Sequence, residues 1–229
     1  GVWLFDAAGN RYLDGYNNVP CVGNANPRVV EAIAAQAATL NVHSRYLHEG
    51  VVDYAERIVS LHHDDIESLV VTCTGSEANE VAIMMARAAT GGDGVICTDA
   101  TYHGNTSEVA KLSYLPVDGT RAGVKSIATP QRFRPLQPDL KDSELCDLHL
   151  EQLRARIREF ESEGSGLAAL LVCSFLANEG LPDPPTGFFE RATEIVRDAG
   201  GLVIADEVQA GFARSGSFWG YDTSGFRPD

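Results

Sequence analysis

Several short runs of this sequence are almost entirely apolar or β-branched, without the alternation expected of a strand that has one solvated face. Segments in which apolar residues recur at helical spacing separate them. The runs are Leu69–Cys73, Val95–Thr98, Leu167–Phe175 and Leu202–Asp206. Strands of this kind belong to parallel sheets that are covered by helices on both faces. The sequence therefore predicts an α/β protein with three layers, α/β/α, around a mostly parallel sheet.

The segment before the first run predicts a hairpin and two helices. Apolar and polar residues are interleaved in two short stretches, Trp3–Asp6 and Arg11–Asp14, which a Gly-Asn turn joins into a hairpin. Asn26 and Pro27 resemble a helix cap and a first-turn proline, and a second amphipathic helix follows over Val51–Leu61.

Apolar residues at helical spacing also predict the helices that cover the two faces of the sheet. A helix from Ser76 to Thr90 is expected to bury Val81, Met84, Met85 and Ala88. The stretch Leu115–Asp142 is irregular and proline-bearing. Two further helices follow it, one with Leu150, Leu153, Ile157 and Phe160 on one face, the other spanning Phe188–Ala199 and ending at Gly200-Gly201.

Composition limits the class of protein. With 229 residues, 44% of them hydrophobic, the chain can bury a large core. Its net charge of −14 repels nucleic acid and anionic membranes, so neither is expected as a partner. Five scattered cysteines without a C-x-x-C pair suit a reducing compartment, and the longest apolar run is far too short to span a bilayer. We expect a soluble, cytoplasmic protein with no metal site.

Ligands of parallel α/β sheets collect at the carboxyl ends of the strands. Gly75 and Ser76 follow the first run and open a helix, an arrangement that fits either a phosphate cup or an ordinary serine cap. Tyr102 and His103 follow the second run, where they are either a stacking platform for a flat ligand or surface residues.

Asp206 ends the last run, so its carboxylate should emerge at the sheet edge with little water around it. A buried anion needs a cation or several donors. The partner is either a protonated ring nitrogen of a ligand or an internal group, such as a helix terminus or a basic side chain. One molecule would explain all three strand ends: pyridoxal 5'-phosphate (PLP), which has a phosphate, a flat ring and a basic ring nitrogen.

The residue sequences of the motifs support that interpretation. T-G-S-E-A-N at 74–79, Y-H-G at 102–104 and A-D-E-V-Q-x-G-F-x-R-x-G from Ala205 resemble the class III aminotransferases of PLP fold type I. The resemblance extends to Asn41–Tyr46 and to Pro184–Phe188 and covers nearly the whole chain. It implies an N-terminal segment at 1–48, belonging to the small domain and linker helices, and a PLP-binding large domain at 49–229 that is incomplete at its C-terminus.

The resemblance also implies a role for each matching residue. Gly75 and Ser76 would hold the phosphate, Tyr102 would stack on the ring with His103 beside it, and Asp206 would pair with the pyridine nitrogen. Val208 would pack on the opposite ring face, Gln209 would reach the phenolic oxygen, and Glu207 would support the loop.

The sequence departs from the family pattern in two respects that bear on function. The Schiff-base lysine is expected a few residues past Asp229, so we assign no catalytic residue and expect the 229-residue chain alone to be inactive, as a fragment. None of Lys111, Lys125 and Lys141 is given that role. Ser174-Phe175 replaces the family's Glu-Pro pair, with Glu179 displaced along the chain.

The function implied is amino transfer between an amine or amino acid and a 2-oxo acid, by a homodimer with active sites at the subunit interface. A PLP-dependent lyase acting on a phosphorylated amino alcohol remains an alternative, as does a non-catalytic PLP-binding fragment. A dehydrogenase is disfavoured because no G-x-G-x-x-G follows a strand, and a zinc hydrolase because H-E-x-x-H is missing.

Overall fold

The computed structural model describes residues 1–16, 20–43, 45–118 and 121–229. It divides into two compact units, Gly1–Leu61 and His62–Asp229. The prediction of a domain boundary after residue 48 stays a prediction. Ser44, in the Asn41–Tyr46 motif, lies outside the described residues, as do residues 119 and 120 of the stretch predicted to be irregular.

The first unit contains the predicted hairpin and both helices. Strands β1 (Trp3–Phe5) and β2 (Arg11–Leu13) pair antiparallel. Helix α1 spans Pro27–Thr39, and the Asn26 side chain accepts a hydrogen bond from the Arg28 N–H at 3.1 Å. Helix α2 spans Glu49–Val59. The cap and the first-turn proline are thus confirmed.

The second unit is built on a four-stranded parallel sheet in the order β4-β3-β5-β6. Its helices and strands, in chain order, are α3 (Gly75–Thr90), β3 (Gly94–Thr98), β4 (Val124–Ile127), α4 (Asp142–Glu163), β5 (Leu167–Cys173), α5 (Phe188–Asp198), β6 (Leu202–Asp206) and α6 (Gly220–Ser224). The sheet and the helices α3, α4 and α5 confirm the predicted fold class.

Helices cover both faces of this sheet. Ile83 of α3 packs in one cluster with Val95 and Cys97 of β3. A side chain on Gly94, which points to the opposite face, would lie 2.7 Å from the Phe160 ring of α4. Helix α5 contacts α4 through Phe188, whose ring centroid is 6.1 Å from that of His149. The layers are therefore α3, the sheet, and the pair α4 and α5.

Three details of the prediction are wrong. Leu69–Cys73 pairs with no described strand, and Val70 and Val71 are 58% and 65% exposed. In α3 the buried residues are Asn79, Ile83 and Ala86, whereas Met84 and Met85, expected to be buried, are exposed. The stretch predicted to be irregular contains β4, an edge strand with only two apolar residues.

No helix in the described part of the chain is long and apolar enough to cross a membrane.

Candidate functional site

The start of α3 and the carboxyl ends of β3 and β6, the three places identified in the sequence, come together at one end of the sheet. A Cβ added at Gly75 would lie 2.7 Å from Val208 Cγ2, so the start of α3 and the loop after β6 are in contact. A Cβ added at Gly104, which has a φ of +133°, would collide with the Ser76 side chain. The two glycines therefore let neighbouring segments approach closely, the Val208 side chain at Gly75 and both the backbone and the side chain of Ser76 at Gly104.

The start of α3 has the geometry of an anion site. Thr74 caps the helix by accepting from the Glu77 N–H at 3.1 Å, while the N–H groups of Gly75 and Ser76 belong to the first turn and have no acceptor within the helix. The Ser76 hydroxyl accepts from the Asn105 N–H at 3.2 Å and donates to Asn105 Oδ1 at 3.3 Å. A hydroxyl and first-turn amides therefore face the same region.

Asp206 lies buried at the end of β6 and accepts three hydrogen bonds. Oδ2 accepts from Asn79 Nδ2 at 3.0 Å and from His103 Nδ1 at 2.8 Å, and Oδ1 accepts from the Val208 N–H at 3.0 Å. Because the carboxylate only accepts, His103 Nδ1 carries a hydrogen, and the other ring nitrogen, Nε2, lies within hydrogen-bond distance of the Thr101 hydroxyl, at 2.8 Å.

These contacts keep Asp206 charged. Burial alone would raise the pKa of Asp206, but the hydrogen bond and charge of His103, together with the Val208 N–H and Asn79, lower it below its usual value. A carboxylate offers about four acceptor positions, of which three are used. Oδ1 accepts only from Val208 among these donors, so the group can take one further donor there.

Tyr102 lies on the loop after β3, and Val208 and Gln209 lie on the loop that follows Asp206. Tyr102 and Val208 are 42% and 68% exposed. The Tyr102 carbonyl accepts from Asn178 Nδ2 at 2.9 Å, and Asn178 Oδ1 accepts from Gln209 Nε2 at 3.3 Å. The predicted residues at the start of α3 and after β3 and β6 are thus linked by direct contacts or through one intervening side chain.

Glu207 points away from this group. Its carboxylate accepts from the Tyr221 N–H at 3.0 Å and the Gly220 N–H at 2.6 Å, at the start of α6, and from the Ser174 hydroxyl. These contacts join the loop after β6 to the start of α6.

The sequence analysis missed four residues of the site, Asn79, Thr101, Asn105 and Asn178. Asn79 could have been predicted, because it ends the T-G-S-E-A-N motif and lies one helical turn after Ser76. Thr101 and Asn105 flank the predicted Y-H-G triplet. Nothing in the sequence marks Asn178, which comes from the loop after β5.

Each of the three lysines either pairs with a glutamate outside the candidate site or lies at the start of a helix. Lys111 pairs with Glu108, and Lys125 contacts Glu163 at 2.7 Å. Lys141 occupies the N-cap position of α4, where its backbone N–H donates to Glu144 Oε2 at 2.8 Å. Glu179, displaced from the family's Glu-Pro position, accepts from the Thr98 hydroxyl at the end of β3. Within the described residues, no group of three or more His, Cys, Asp or Glu side chains could hold a metal ion.

Residues 1–229 match the family model described as Aminotransferase class-III. Among curated proteins, the chain is 34% identical over 240 residues to "Alanine–glyoxylate aminotransferase 2-like" of Drosophila melanogaster, covering 100% of the chain and 48% of that protein. It is 32% identical to "Ethanolamine-phosphate phospho-lyase homolog 1" of Caenorhabditis elegans, covering 99% of the chain and 52% of that protein. The chain thus spans about half the length of these relatives.

Two solved structures illustrate the similarity of fold. A phospholyase from Arthrobacter in complex with phosphoethanolamine matches with a TM-score of 0.91 and 42% identity, over 100% of this chain and 54% of that one. A taurine:2-oxoglutarate aminotransferase from Bifidobacterium kashiwanohense, in complex with PLP and glutamate, matches with a TM-score of 0.87 and 27% identity, over 100% and 53%.

Proposed function

Because the chain belongs to the class-III aminotransferase family, we propose that it supplies the cofactor-binding part of an enzyme that transfers an amino group from an amine or amino acid to a 2-oxo acid. PLP is the cofactor of this family. The observation that carries the proposal is the buried, charged Asp206 at a sheet edge where the loops of Ser76 and Tyr102 also converge.

The residues of this edge fit PLP. The first turn of α3 and the Ser76 hydroxyl suit a phosphate, and the glycines at 75 and 104 keep the backbone close enough for it to approach. Tyr102 and Val208 present exposed apolar surface for the two faces of a ring. Asp206 has acceptor capacity left for a ring N–H, and Gln209 has an amide for the phenolic oxygen.

When bound, PLP withdraws electrons from the substrate carbon that loses its proton. Asp206 favours that chemistry by keeping the ring nitrogen protonated, since a nearby negative charge raises the pKa of a basic group. His103 and Asn79 hold the carboxylate in place, and their burial excludes the water that would screen it.

The direct test uses protein extended to the length of the relatives, with PLP added. Alanine with glyoxylate, and taurine with 2-oxoglutarate, are incubated with the enzyme, and the amino acid formed from the acceptor is measured. We expect product only when donor and acceptor are both present. Lack of transfer from any amine to any oxo acid would contradict the proposal.

A PLP-dependent phospho-lyase is the second candidate. The 42% identity to the Arthrobacter phospholyase, against 27% to the taurine aminotransferase, favours it. A lyase would release inorganic phosphate from phosphoethanolamine without an oxo acid. An aminotransferase would release none, so the same preparation distinguishes the two activities.

We also propose that the protein is a homodimer with its active sites at the subunit interface, and that it is cytoplasmic. Exposed Met84, Met85, Val70 and Val71 give apolar surface for a partner. The free thiols of Cys73, Cys97, Cys146 and Cys173, of which that of Cys73 is exposed, suit a reducing compartment. Light scattering and cell fractionation test these points; the mitochondrial naming of the human relative makes the second test necessary.

A further inference from the structure

The loop after β5, residues 176–181, has an unusual backbone. Leu176 and Leu181 have φ angles of 53° and 57°, in the left-handed region that residues with a Cβ adopt reluctantly. The loop is closed on itself by a hydrogen bond from the Leu181 N–H to the Leu176 carbonyl at 3.0 Å, and Leu176 is completely buried. Strained conformations that the surroundings maintain are concentrated at functional sites.

This backbone presents Asn178 between two residues of the candidate site. Its Nδ2 donates to the Tyr102 carbonyl at 2.9 Å, and its Oδ1 accepts from Gln209 Nε2 at 3.3 Å. The adjacent Glu179 accepts a hydrogen bond from the Thr98 hydroxyl, which links the loop to the end of β3. The loop therefore connects the ends of β3, β5 and β6.

We infer that Asn178 is a positioning residue that sets the Tyr102 loop and the Gln209 side chain at a fixed separation across the cofactor ring. The inference rests on the proposed function, because it assigns Tyr102 to the ring face and Gln209 to the phenolic oxygen. An amide is suited to this task because it donates from one atom and accepts at another within one rigid plane. Aspartate at the same position could accept from Gln209 but could not donate to the Tyr102 carbonyl.

Pyridoxamine 5'-phosphate is the probe, because it has no aldehyde and cannot react with lysine. Its affinity for the full-length apoprotein is measured by calorimetry for the wild type, Asn178→Ala, Gln209→Ala and the double variant. We expect Asn178→Ala to weaken binding about fivefold to tenfold, as the loss of one or two neutral hydrogen bonds predicts. In the Gln209→Ala background its effect should be smaller, because one of the two contacts is already gone.

Hydrogen exchange gives a second readout that does not depend on the cofactor. Peptides covering residues 99–105 should exchange faster in Asn178→Ala and in Asn178→Asp, because both remove the donor to the Tyr102 carbonyl. Gln137→Ala, an exposed polar residue of the same unit, is the control and should change neither affinity nor exchange.

The outcomes separate the two proposals. If the wild type binds pyridoxamine 5'-phosphate while Asn178→Ala stays within twofold of it, or if the exchange of 99–105 is unchanged, the positioning role is wrong and the proposed function stands. Fully additive effects of Asn178→Ala and Gln209→Ala would likewise overturn it. If the wild type does not bind the probe, the proposed function fails, and the cofactor role of Asn178 fails with it.

Discussion

Asp206 is the residue whose substitution tests the proposed chemistry most sharply. Asp206→Asn removes the negative charge that would keep the ring nitrogen protonated, while nearly preserving the shape of the side chain. We expect turnover of the full-length enzyme to fall by about 100-fold or more, in the range seen when one preorganised electrostatic partner is lost. Steady-state kinetics measure this, and circular dichroism checks that the variant folds.

Asp198→Asn, which neutralises an exposed carboxylate on α5, is the matched control and should retain wild-type turnover. Should Asp206→Asn turn over within threefold of the wild type, the carboxylate would not be the partner of the ring nitrogen.

Ser76 permits a separate test of the phosphate site. Ser76→Ala removes the hydroxyl in the first turn of α3, so it should weaken binding of pyridoxamine 5'-phosphate by about tenfold or more, since hydrogen bonds to charged groups are worth about 1.5–3 kcal/mol. Binding of pyridoxamine, which has no phosphate, should not change. Ser107→Ala, at an exposed serine of the loop after β3, is the control. Equal weakening for both ligands would remove Ser76 from the phosphate site.

At this scale the sequence is informative about residues at strand ends and poor about the residues that hold them. Ser76, Tyr102 and Asp206 could be proposed because each lies at or after the end of a recognisable run and carries a distinctive functional group. Asn178 could not, because its contacts depend on the fold of a loop whose backbone adopts rare angles. Local patterns do not encode such long-range pairs.

Among the helices and strands, the short helix α6 depends on a charge from elsewhere in the chain. Glu207 accepts from the N–H groups of Gly220 and Tyr221, where a carboxylate also interacts favourably with the helix dipole. We expect Glu207→Gln to lower the free energy of unfolding by about 1–2 kcal/mol, because charge-assisted bonds are replaced by weaker ones at a half-buried position. Urea denaturation measures the loss.

Hydrogen exchange of residues 218–224 should also rise in Glu207→Gln. Glu194→Gln, at an exposed position in the middle of α5, is the control and should change neither quantity. A Glu207→Gln variant with wild-type stability and exchange would show that α6 does not need the carboxylate.

Most of the helices and strands could be predicted because their patterns were long or strongly capped. Leu69–Cys73 was wrong because strand propensity says nothing about whether a partner strand is available. The buried face of α3 was wrong because this helix has apolar residues on more than one side, so periodicity alone could not choose between them. β4 was missed because an edge strand needs few apolar residues.

For the second unit as a whole, the buried His149 and the half-buried His62 link stability to pH. Burial lowers the pKa of His149, and the nearby Ala128 carbonyl and Asp99 oppose that fall only in part. Burial and then His63 lower the pKa of His62, which stacks on Trp219 with ring centroids 4.1 Å apart, while Asp222 opposes the change. Both rings are therefore harder to protonate in the folded state than in the unfolded one.

The sign of the effect follows from proton binding. Where the unfolded chain binds more protons than the folded one, stability rises with pH. For these histidines the stability is complete above the unfolded value of 6.5 and is lost as pH falls from there toward the lowered folded pKa values. Asp206 contributes in a separate window, because its lowered pKa costs stability only as pH falls below 3.8.

Between pH 7.5 and 5.5 the wild type should therefore lose stability toward urea, and His149→Leu should lose less, because a side chain that cannot be protonated replaces a fully buried ring. Trp219 fluorescence in a Trp3→Phe background reports unfolding of the second unit. His43→Ala, at an exposed histidine of the first unit, is the control and should keep the wild-type pH dependence. Parallel profiles for the wild type and His149→Leu would mean that His149 is protonated as easily in the folded chain as in the unfolded one, and that its burial in the layer between α4 and α5 is incomplete in solution.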